Sequence, residues 1–185
     1  MDIGLFVNIT SRAWALSVLS SLHTGVAARQ APLLAVTGAS RTAFAQSMEH
    51  LISLDLLERN PGYGHPLRPE FRLTEQGVIA ASIANKIYCA TEERDQDLLR
   101  RSWTLPVLTA IHAPNSFNQI KRSLISVSDR ALSQSLQAME SRNWVSRRIS
   151  DTVRPPRPVY QAINAGGLIS GITAAEITFG QTASR

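Results

Sequence analysis

The chain has a single cysteine, Cys89, among 185 residues. That excludes an internal disulfide framework and a zinc site built on a cysteine cluster. No run is long and apolar enough to span a bilayer. The opening "MDIGLFVNITSR" has no basic region followed by an apolar stretch, so a secretory leader is not expected, and the expected setting is cytoplasmic, with no membrane partner. The four histidines (His23, His50, His65 and His112) are scattered without ligand spacing. No G-x-S-x-G elbow, P-loop, G-x-G-x-x-G turn or metal pair is present. These absences argue against an enzyme, and neither a cofactor nor a metal is expected.

What is present is uneven. Residues 1–99 carry 8 Lys/Arg against 10 Asp/Glu, a net of −2, whereas residues 100–185 carry 11 against 4, a net of +7. Nearly all of the basic charge is arginine, whose rigid fork of donors suits phosphates and guanine edges. A basic half in a chain of pI near 10 points to a polyanion as partner.

The chain also repeats itself. "RAWALSVL" (12–19) returns as "RSWTLPVL" (101–108), identical at five of eight positions. "SRTAFAQSMEHLISLDLLER" (40–59) is followed at an offset of 88 by "SDRALSQSLQAMESRNWVSR" (128–147), and "PLRPEFRLTEQG" (66–77) by "PPRPVYQAINAGG" (155–167). Three blocks in one order at a near-constant offset indicate an internal duplication of a small domain. The expected division is residues 1–90 and 91–185, with a helical connection over roughly 78–100.

In the second repeat, Trp103, Val107 and Ile111, with Leu105 and Leu108 between, sit at helical spacing. Pro106 falls in the first turn, where its missing N–H costs little. "FNQIKRSL" (117–124) predicts a second helix. Ser128, a good N-cap followed by Asp129, opens a third. In that helix Leu132, Leu136 and Met139 face inward and leave Arg130, Ser133, Gln134 and Gln137 outward. "NWVSRRIS" (143–150) and "RPVYQAI" (157–163) read as strands joined by a Pro-rich tip. Three helices and then a hairpin is the winged helix-turn-helix order. The first repeat gives the same order, with "LDLLERN" and "PEFRLTEQG" as strands and "PGYGHPLR" as the tip. The fold class is therefore mainly α with small β-hairpins, as two tandem winged helix-turn-helix domains forming a pseudo-dimer. Trp14 and Trp103 would anchor the same helix in each.

Through "WTLPVL", "SVSDRALSQSLQAME" and "PPRPVY", the second repeat resembles the HxlR branch of MarR-like winged-helix transcriptional regulators. The first is similar through "AWALSVL", "LLER" and "PLRPEFRLTEQG". The resemblance implies a DNA-binding regulator. Family members usually have one domain and pair as homodimers, whereas here two copies share a chain. A monomer acting as a pseudo-dimer, or a homodimer, is expected, with double-stranded DNA as partner and any small-molecule effector unidentified.

The expected DNA-contacting set is Ser128, Arg130, Ser133, Gln134 and Gln137 on the recognition helix and Arg147, Arg148, Arg154 and Arg157 around the wing. Arg and Gln suit guanine and adenine edges, and the wing arginines suit flanking phosphates. Arg41, Thr42, Arg68 and Arg72 hold comparable places in the first repeat, a thinner set with acids nearby. HxlR-like proteins often have a cysteine at about the place of Cys89, used in some as a thiol sensor. Here the proline that usually follows is absent and acids come next, which favours a structural or incidental cysteine over a redox one. The competing expectation for the whole chain is a winged-helix module that binds protein and not DNA.

Overall fold

The computed structural model describes residues 1–60, 70–150 and 156–179. Among them are ten α-helices and two small antiparallel sheets. The first half runs α1 (Ile3–Thr10), α2 (Ala15–His23), α3 (Gln30–Thr37), α4 (Arg41–Ser53), strands β1 (Leu57–Asn60) and β2 (Glu70–Leu73), and α5 (Glu75–Cys89). After a 3-10 turn at Glu93–Asp95, the second half runs α6 (Gln96–Leu99), α7 (Thr104–Ala110), β3 (Asn115–Ser116), α8 (Phe117–Ser123), α9 (Asp129–Glu140), β4 (Val145–Ser150), β5 (Arg157–Ala162) and α10 (Asn164–Glu176).

Each half has a central helix. All seven residues of α7 are buried, Thr104 and Thr109 included, and α8, α9 and α10 pack around it. In the first half α2 holds that place, with α3, α4 and α5 against it. The buried Ala80, Ala81 and Ala84 let α5 approach α2 closely. The halves share one core, because α1 packs on α7 and α5 on α10. The N-terminal backbone is also tied to the segment after α10: Ile3 N–H donates to Thr178 O (2.9 Å) and Thr178 N–H to Met1 O (2.8 Å). Lys86 of α5 pairs with Glu176 of α10 at 2.7 Å.

The local geometry recurs at the offsets seen in the sequence. Trp14 and Trp103 precede α2 and α7 with nearly the same dihedrals (φ −107°, ψ −4° and φ −102°, ψ −4°); Trp103 packs partly buried against the core, whereas the half-buried Trp14 has the Arg100 guanidinium over its ring, 5.0 Å from the centroid. Ser40 and Ser128 cap α4 and α9, accepting from Ala43 N–H (3.3 Å) and Ala131 N–H (3.2 Å). Asp55 and Asn143 turn the chain after those helices at φ 55° and 57°, a left-handed conformation that Asp and Asn tolerate. Gly77 and Gly166 then lie against backbone: an added Cβ would come 1.9 Å from Leu56 O at Gly77 and 2.2 Å from Trp144 O at Gly166. Replacing Ser40 by alanine is expected to cost about 1 kcal/mol, as for other N-caps, measured by urea unfolding.

The structure also differs from the sequence expectations. "TEQG" continues no strand; Thr74 caps α5, accepting from Gly77 N–H at 3.0 Å. The stretch expected as a helical connection is broken after Cys89, where Thr91 Oγ1 donates to Ile87 O (2.7 Å) and Glu92 is extended (φ −65°, ψ 149°). Two helices had no counterpart in the sequence reading, α1 and α10. The second hairpin gains a third strand: β3 pairs with β5, in the order β3-β5-β4. In the first half the equivalent pairing shrinks to one antiparallel bridge, Arg29 with Glu70.

Candidate nucleic-acid interface

The third helix of the second half is set by its caps and its buried stripe. Ser128 closes its N-terminus, and Lys121 of α8 pairs with Asp129 at 2.5 Å, an exposed ion pair that bridges the two helices across the turn. Leu124 and Val127 in that turn are buried, with Val127 N–H donating to Leu124 O at 2.9 Å. Leu132, Ser135, Leu136 and Met139 point into the core. Arg130, Ser133, Gln134 and Gln137 are left exposed, so the helix presents a polar face with one cation. At its far end Arg142 donates to Asp95 (2.5 Å) and pairs with Asp97, tying α9 to the 3-10 turn and α6. The Asp95 hydrogen bond is the largest of the influences that hold this guanidinium above its ordinary range.

The hairpin register sorts the wing arginines. Side chains alternate along a strand, so Arg147 shares a face with the buried Val145, opposite the buried Tyr160. Arg148 and Ser150 take the other face, together with Arg157, the cross-strand partner of Ser150. Arg148 and Arg157 are thus brought to one face and Arg147 is turned to the other. Arg154 lies outside the described residues. Among the described residues no ion pair holds Arg130, Arg147, Arg148 or Arg157.

The first half is arranged differently. Arg41 and Thr42 are exposed at the start of α4, and Arg68 lies outside the described residues. Arg72 donates through Nε to its cross-strand neighbour Glu58 at 2.6 Å. Arg29 donates through Nε to Glu70 at 2.7 Å. At the matching places the second half has the neutral pairs Ser146–Gln161 and Ser116–Val159. The outward face of α4 has Thr42, Ala45, Gln46 and Glu49 where α9 has Arg130, Ser133, Gln134 and Gln137.

Residues 98–183 match the HxlR-like helix-turn-helix family. The matched stretch holds all of α7–α10 and the three-stranded sheet, so the HxlR-like region coincides with the second half. No curated protein and no solved structure matches the chain. Two exposed residues were left out of the expected DNA-contacting set. Arg122 on α8 has no ion pair among the described residues, and its signal was the "KR" dipeptide closing that helix. Gln46 in the first half is exposed at the register of Gln134, and the identity of the two residues was its signal. Cys89 is exposed at the end of α5, its Sγ 3.9 Å from Asn85 Oδ1. No single helix among the described residues is long and apolar enough to cross a membrane.

Proposed function

We propose that the chain is a DNA-binding transcriptional regulator that grips double-stranded DNA through α9 and the β4–β5 wing. In this reading the two halves are duplicated winged-helix domains, joined near residue 90 into a covalent pseudo-dimer. The carrying observation is the contrast in arginine pairing on the strands and helix caps. Arg130, Arg148 and Arg157 are exposed and free of ion pairs among the described residues, whereas in the first half, where Arg41 and Arg59 are likewise unpaired, Arg29 and Arg72 are bound to Glu70 and Glu58. Free guanidiniums are available to phosphates and base edges. Paired ones would first have to give up a partner. The recurring caps, turns and close-packed glycines support the duplication.

On this reading Arg130, Ser133, Gln134 and Gln137 face the major groove, Ser128 meets a phosphate, and Arg147, Arg148, Arg154 and Arg157 serve the flanking backbone. Arg41, Thr42, Arg68 and Arg72 make the weaker contact. Two recognition helices in one chain suit half-sites about 34–36 Å apart on one face of the duplex. Since α4 and α9 differ at Thr42/Arg130, Ala45/Ser133 and Glu49/Gln137, the half-sites should differ too.

Selection of binding sites from a random duplex library tests this. The expected product is a pair of unlike half-sites. A perfect palindrome would mean that two chains each use α9 alone. Replacing Arg130 by alanine should cost roughly 1–3 kcal/mol, concentrated at one base position, if it grips a guanine in bidentate fashion. Competition binding against a set of single-base operator variants reads that position.

A further inference from the structure

Between α4 and the hairpin of the first half lies a cavity of about 220 Å³. Phe44, Met48, Ile52 and Phe71 form its apolar walls, and the exposed Glu49 and Arg59 also line it. Glu49 and Arg59 are not paired with each other, and neither has an ion pair elsewhere among the described residues. The matching positions of the second half show how this cleft differs. Ala45 and Ile52 stand where α9 has Ser133 and Glu140, and Glu49 stands where it has Gln137. Relative to α9, the outward face of α4 has thus gained apolar surface and a carboxylate.

The chemistry that fits is narrow. A half-open cleft of mixed lining, with a carboxylate and a separate guanidinium beside aromatic and aliphatic walls, offers partners for an ammonium and a carboxylate and leaves the walls for an apolar group. A cavity of about 150 Å³ is enough for benzene, so this one admits a ring with a short head group. We propose that this cleft binds a small amino-acid-like zwitterion with an apolar or aromatic side group, its ammonium on Glu49 and its carboxylate on Arg59. A ligand seated there would lie on the outward face of α4 and against β1 and β2, the elements with which the first half would touch DNA. Binding it and engaging a half-site would be mutually exclusive for that half.

The test is calorimetric titration of the full chain, without DNA, with L-phenylalanine and three analogues lacking one part each: 2-phenylethylamine, 3-phenylpropionate and glycine. L-Phenylalanine should bind, and each analogue should be weaker by about tenfold or more. Glu49→Gln should abolish the preference over 3-phenylpropionate, and Arg59→Met the preference over 2-phenylethylamine. Ala45→Leu, which fills the cleft from an exposed position, should abolish binding while leaving the thermal unfolding curve in place. The proposal is overturned if no aromatic probe binds at millimolar concentration, or if binding survives all three variants unchanged. Because the titration contains no DNA, its result stands apart from that of the DNA-binding reading.

Discussion

Replacing Gly166 by alanine should destabilise the protein by about 3 kcal/mol, the upper part of the usual range for overpacking. The added Cβ would sit 2.2 Å from Trp144 O and 2.9 Å from Trp144 Cβ, where neither backbone nor a fully buried indole can yield. Helix α10 would have to lift from the start of β4, loosening the hairpin and the cover of α7 together. Gly77→Ala should do comparable damage in the first half, where Leu56 O is 1.9 Å away. Gly171→Ala is the internal control. Nothing lies within 4 Å of its Cβ, and removing a helical glycine should stabilise by roughly 0.5–1 kcal/mol. Urea unfolding followed by circular dichroism ranks the three. If Gly166→Ala were as benign as Gly171→Ala, α10 would not be seated on the Trp144 carbonyl.

The second large effect concerns the wing. Arg148 and Arg157 share one face of the β4–β5 hairpin, so their joint replacement by alanine should remove two phosphate contacts at once. Each contact contributes roughly 0.9 to the slope of log affinity against log salt, so the slope should flatten by up to about two units, at every DNA sequence alike. Arg72→Ala should leave that slope nearly unchanged, because Arg72 is already paired with Glu58. Arg147→Ala should act separately from the Arg148 and Arg157 pair, since it projects from the opposite face. Equal losses from the two wings would describe a symmetric reader. No loss from either would favour a module that binds protein.

The strongly patterned elements were legible from the sequence for physical reasons. The third helix of the second half announces itself by Ser128 and by Leu132, Leu136 and Met139 at one face, and the residues left outward follow from the same period. The hairpin strands show as short runs bounded by turn formers. Helix α10 was invisible because "NAGGLISGITAAE" holds three glycines and β-branched residues, poor helix formers that depend on packing against α7. Helix α1 is short and apolar; Asp2 is a readable cap, but what holds so short a helix is its contact with α7, which no local pattern reveals. The pairing of Arg72 with Glu58 depends on strand register, so a count of arginines could not separate free guanidiniums from bound ones. The first-half cleft joins residues of α3, α4, β1 and β2, which are far apart in sequence.

The most direct measurement is fluorescence anisotropy of the full chain on a labelled duplex, the promoter beside its own gene, across a salt series. The account predicts tight binding that weakens steeply and linearly in log salt. The Arg148→Ala, Arg157→Ala double variant should flatten that line by up to about two units. It also predicts that Arg130→Ala lowers affinity for this duplex but changes non-specific binding little. Binding that is absent at low salt, or that is indifferent to salt and to all three arginines, would contradict it.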